Sequence, residues 1–154
     1  MQAREFLHLA YFAIWSPGRT AKIQCDFSAM ISPDMFGEFY IPYAKKQIES
    51  LDYVLYHLDG PSCICHADQL IALEKLNCIQ WVPGAGQAPQ HDERWFPLYR
   101  KIFDGGKGLQ LSLKADKIVD FVKRFGSKGV YIITSTKSES QGRELMQAVA
   151  ACSK

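Results

Sequence analysis

The chain has 154 residues, 47% of them hydrophobic and 22% charged, with a formal net charge of +2; that length and balance suit one domain able to bury its own core. Lys and Arg are scattered among acidic residues and form no basic face, which argues against a nucleic-acid partner. The apolar opening MQAREFLHLAYFAIW is interrupted by Arg4, Glu5 and His8 well short of a membrane span, with no small-residue cleavage site behind it, so no membrane partner is expected.

Short β-rich runs then alternate with helical ones. YFAIW and the turn SPGR read as an N-terminal strand or arm within residues 1–20. AKIQCDF (21–27) is a strand; Ser32-Pro33 supplies an N-cap and a first-turn proline for a helix that Pro42 should kink. YVLYHLDG (53–60) leads to a helix over about 68–76, and CIQWVPG (78–84) to one over about 93–103. KGLQLSL (107–113) precedes ADKIVDFVKRFG, closed by Gly126 as a C-terminal cap. GVYIITS (129–135) meets Ser138-Glu139-Ser140-Gln141, a capping-box pattern, and a last helix to about residue 151.

Five successive β-α units over 21–154, in a single domain 1–154, predict a parallel sheet with right-handed crossovers. Two architectures fit: half of a TIM (β/α)8 barrel, which dimerisation could complete, or a flavodoxin-like open sheet with helices on both faces. In the second, the apolar stretch REFLHLAYF (4–12) would cover an opened sheet. The strands alternate in character, which favours the first, because a sheet buried on both faces reads as continuous apolar runs. Leu109, Leu111 and Leu113 share one face and Gln110 and Ser112 the other; Gln24 and Asp26 oppose Ile23; Gln80 opposes Ile79 and Trp81. Unpaired buried amides cost about 1–3 kcal/mol each, so the polar face should meet a barrel lumen, a ligand or water.

Several residues are candidates for chemistry. His57 and Asp59 share a strand face and could hold a metal or a substrate; a His hydrogen-bonded to its neighbour is the plainer alternative. Asp26, Gln80 and Gln110 would project into a lumen and bind polar groups, and Trp81 could stack on a planar ligand or fill the core. Cys63, Cys65 and His66 are too tightly spaced for an ordinary zinc site. The loop PGAGQ (83–87) could present backbone N–H groups to an anion but lacks the Gly-Lys-Ser/Thr ending of a P-loop. Five cysteines, an odd number without a signal peptide, suggest reduced thiols in the cytoplasm.

The strings WSPGRTAKIQCDFSAMISPDMFGEFYIPY, YHLDGP followed by His66, IQWVPGAGQ and GKGLQL resemble the C-terminal half of the uroporphyrinogen decarboxylase-like family. The likeness runs over about residues 15–146. It is strongest to the branch related to corrinoid-dependent methyltransferases and cobalamin-independent methionine synthase. The resemblance implies a (β/α)8 barrel of which the first half is missing, with an active site at the C-terminal strand ends. It implies, if the chain is active, a decarboxylase or a methyltransferase acting on a carboxylated or methylated small molecule. Methyltransferase relatives carry zinc on a His-x-Cys and a later Cys; here the matching positions are His57-Leu58-Asp59 and Thr136, so zinc is weakly implied and no cofactor is required. A half-barrel further implies a partner: a second copy in a homodimer, or a separate chain carrying the N-terminal half.

Overall fold

The computed structural model describes residues 8–10 and 14–152; most of the stretch 4–12 that the flavodoxin-like reading would lay over the sheet falls outside them. Two short strands, β1 (His8–Ala10) and β2 (Ile14–Ser16), pair antiparallel. Five parallel strands follow: β3 (Thr20–Gln24), β4 (Tyr53–Asp59), β5 (Cys78–Val82), β6 (Gly108–Ser112) and β7 (Val130–Ile133). Between and after them lie α1 (Pro33–Phe39), α2 (Ile41–Ile48), α3 (Ala67–Ile71), α4 (Phe96–Asp104), α5 (Ala115–Phe125) and α6 (Glu139–Cys152).

The strands lie in the sheet in chain order, β3-β4-β5-β6-β7. With crossovers of one hand, an order that never reverses sends every helix to the same face. A doubly wound sheet, by contrast, reverses its order and is covered on both faces. The packing agrees. One core joins Ile23, Tyr56, Ile79 and Leu109, which sit opposite one another in register, to Phe36 of α1, Ile48 of α2, Leu70 of α3, Ile102 of α4 and Phe121 of α5. Leu55, of the other parity, is buried yet stands outside that core. The sheet is therefore singly wound, like consecutive units of a (β/α)8 barrel, and among the described residues one of its faces is free of helices.

The local signals act as the sequence suggests. Ser32 accepts a hydrogen bond from the Met35 N–H at 3.2 Å, and the chain breaks between α1 and α2 at Tyr40, with Pro42 in the first turn of α2. Gly126 closes α5 at φ +82°. The capping box before α6 is shifted: the Gln141 N–H donates to Ser138 Oγ at 3.3 Å, but the Gln141 side chain accepts from Lys137 N–H rather than from Ser138. Helix α3 ends at Ile71, short of the expected 76, because the next backbone bonds tighten to a three-residue span (Leu73 to Leu70, Leu76 to Leu73). Lys107 Nζ adds a second hydrogen bond to the Leu73 carbonyl at 2.8 Å. Among the described residues no helix is long and apolar enough to cross a membrane.

Candidate functional site: a polar rung on the helix-free face

Register places five residues side by side across the whole sheet: Gln24, His57, Gln80, Gln110 and Tyr131. All share the parity of Leu55, so the rung lies on the face without helices. Successive strands thus contribute amides and an imidazole at one level. At the next level towards the C-terminal strand ends stand Asp59 and Ser112, the last residues of β4 and β6, with Asp26 just past β3. Gly60, at φ +85°, turns the chain away after β4 and donates its N–H to the Val82 carbonyl at 2.8 Å. That turn leaves the Asp59 side chain half exposed at the rim while His57 is 13% exposed beneath it.

Two side-chain chains run along this face, each ending on a carboxylate. Gln80 Nε2 donates to Gln110 Oε1 at 2.7 Å. Gln80 Oε1 lies 2.5 Å from His57 Nδ1, and His57 Nε2 lies 3.8 Å from Asp59 Oδ2. Along β3, Lys22 Nζ donates to Gln24 Oε1, and Gln24 Nε2 donates to both oxygens of Asp26 at 2.8 and 3.0 Å. Gln110 is 0% and Gln80 5% exposed, so these amides meet each other rather than bulk water. Each hydrogen bond inside such a dry patch replaces a desolvation cost of about 1–3 kcal/mol.

Below the rung, the β1–β2 hairpin and the sheet enclose a cavity of about 200 Å³ lined by Ile14, Ser16, Leu55, Cys78, Gln110 and Tyr131, among others. Burial there pushes the Cys78 thiol up to about 12. Above it, beyond β5 and β6, the loop 83–91 borders an open cleft of about 480 Å³ with Ser112 and Lys114. Gly84 (φ +87°) and Gly86 (φ +74°) give that loop its left-handed turns.

The structure brings together Asp26, His57, Asp59, Gln80 and Gln110 on one face. Trp81 and Thr136 stand elsewhere. Trp81 is fully buried on the helix side, its ring centroid 5.0 Å from that of Trp95. The Thr136 hydroxyl donates to the Ser138 carbonyl at 3.0 Å in the turn before α6. His66 is also structural: its Nε2 donates to the Ser28 carbonyl at 2.9 Å and its ring stacks on Phe36 with 4.2 Å between centroids. Cys63 sits 3.2 Å from Ser28 Oγ, and Cys65 points out and bonds the Ser62 carbonyl.

Zinc takes four ligands, or three and a water. His57 and Asp59 supply two, and among the described residues no group of three or more His, Cys, Asp or Glu is gathered to hold a metal. The residues present do not make a zinc site by themselves.

Sequence reasoning missed Gln90. Its Nε2 donates to the Trp81 carbonyl, its Oε1 accepts from Ser112 N–H at 2.6 Å, and its own carbonyl accepts from the Tyr99 hydroxyl at 2.6 Å. One buried side chain thus brackets the ends of β5 and β6 and pins the 83–91 loop above the rung. Only its place between two strand ends, not its local pattern, marks it.

Comparison with protein-family models, with curated proteins and with solved structures finds no match.

Proposed function

We propose that this chain is a half-barrel that binds a small polar molecule on its helix-free face, over His57 and between the carboxylates of Asp26 and Asp59. The observation that carries the proposal is the unbroken rung from Gln24 to Tyr131, one level below Asp59 and Ser112 at the C-terminal strand ends, because those ends are where barrels of this kind place their chemistry. The resemblance to the uroporphyrinogen decarboxylase-like family adds the substrate class, a carboxylated or methylated small molecule, and the reaction if there is one, decarboxylation or methyl transfer. Titration with a panel of small carboxylic acids, methylated amines and thioethers, followed by NMR, tests it. The expected shifts centre on His57, Gln80 and Gln110 and vanish in His57→Ala. Shifts confined to the 83–91 cleft, or none with any probe, would remove this reading.

A second reading is a non-catalytic half-barrel that persists by self-association in the cytoplasm. It is favoured by the two outer strands of the sheet, β3 and β7, each with one edge unpaired by the other strands of this sheet. Phe27, Met30, Phe39 and Tyr43 are exposed on the elements that follow β3. Val130, Ile132 and the exposed Met146 line a groove between β7 and α6. A homodimer would cover both flanks at once; a separate chain carrying the N-terminal half would do the same. Light scattering over a concentration series tests the first version: dimers support it, and a clean monomer at the highest concentration rules it out.

A further inference from the structure

We infer that Gln80, held by Gln110, is a positioning residue that keeps His57 as the Nδ1–H tautomer, so that the Nε2 lone pair lies on the Asp59 side of the ring. The inference rests on the reading of the helix-free face as a ligand site only for its consequence; the tautomer itself follows from the orientation of the two amides.

A carboxamide has two unlike ends, an oxygen that only accepts and an NH2 that only donates. Gln110 is fully buried, and its Oε1 lies 2.7 Å from the terminal atom of Gln80. With Gln110 oriented as the structure shows it, turning the Gln80 amide alone would set two acceptor oxygens against each other at that distance in a site with little water to intervene. The nitrogen of Gln80 therefore faces Gln110, and its oxygen faces His57 Nδ1 at 2.5 Å. An oxygen that cannot donate requires the hydrogen to be on Nδ1. In neutral imidazole the other nitrogen then carries the lone pair, and that nitrogen is the one 3.8 Å from Asp59 Oδ2. A buried residue two strands away thus sets which nitrogen of His57 is basic.

The consequence is a specificity. Nε2 and Asp59 Oδ2 form a pair of acceptors 3.8 Å apart at the rim, so this end of the site takes an N–H or O–H donor, such as an amine or hydroxyl of the ligand. It disfavours an ionised carboxylate, and a carboxylated ligand would turn its acid away from His57.

Long-range proton–nitrogen correlation spectra of the ¹⁵N-labelled, ligand-free protein test the inference, recorded about two pH units above the ordinary imidazole value of about 6.5. In wild type the His57 signals should report hydrogen on Nδ1 and none on Nε2, with that form in about fivefold excess or more, as one buried hydrogen bond supplies. Gln80→Met and Gln110→Met should each lower that excess. Hydrogen on Nε2 in wild type, or an unchanged tautomer in both variants, would overturn it. Should either variant fail to fold, the wild-type spectrum still decides the sign. Because no ligand is present, failure here is distinct from failure of the binding titration.

Discussion

Replacing Gln80 by Leu removes one side chain and disturbs two others. Gln110 Oε1 loses its donor at 2.7 Å and His57 Nδ1 its acceptor at 2.5 Å. Gln110 is 0% exposed, so losing this donor costs about 1–3 kcal/mol. His57 retains some exposure and recovers part of its loss from water. The added Leu returns about 1 kcal/mol by burying apolar surface. The net expectation is a destabilisation of about 2 kcal/mol. Urea unfolding followed by circular dichroism should move the midpoint down by about 1 M, given slopes of about 1–3 kcal/mol per M for proteins of this class. Gln110→Leu should cost a similar amount, and the double variant less than the sum by about 1 kcal/mol, since the Gln80–Gln110 hydrogen bond is then lost only once. A Gln80→Leu midpoint equal to or above wild type would refute the claim that the amides are mutually satisfied in a dry patch.

Other expectations follow from single contacts. A Cβ added at Gly105 would overlap Ile71 Cγ2, so Gly105→Ala should destabilise by about 1–3 kcal/mol, and in an Ile71→Ala background the glycine replacement should cost less, the Lys101 carbonyl at 3.3 Å remaining close; thermal unfolding of the four proteins checks both. Ser32→Ala, which removes the cap on Met35 N–H, should cost about 1 kcal/mol in the same assay. Cys78, raised from 9.0 to about 12 by burial, keeps its proton in the folded chain where an unfolded chain would release it. The folded state then binds more protons above pH 9, so stability is intact below that value and falls by about 1 kcal/mol per pH unit between about 9 and 12. Burial raises Tyr40, Tyr56 and Tyr99 as well and adds to the decline above pH 10. Cys78→Ala should flatten the slope just above pH 9 in urea titrations, and at pH 8 Cys78 should resist alkylation while the exposed Cys65 reacts.

The strands and their two faces were legible because side chains in a strand alternate with period two, and Leu109-Gln110-Leu111-Ser112-Leu113 can be read in no other way. The same parity already separates Trp81 from Gln80, so the burial of Trp81 against Trp95 follows from alternation alone once the helices are known to share one face. That last fact was out of reach. Chain order of the strands is a property of long-range pairing, and β-α alternation fits a reversing order equally well. The partners of the rung were hidden for the same reason: Gln80 and Gln110 are thirty residues apart. Their contact exists only because β5 and β6 are neighbours in this register. The lysine that bonds the chain just after α3, Lys107, likewise comes from a later unit.

The most direct test of the polar rung is a set of nuclear Overhauser contacts from the side-chain amide protons of Gln80 and Gln110. They should connect to each other and to the His57 ring, with none to the helix residues. Contacts from either amide to Ile102, Phe121 or the Trp95 ring would put it beneath the helices and contradict the site.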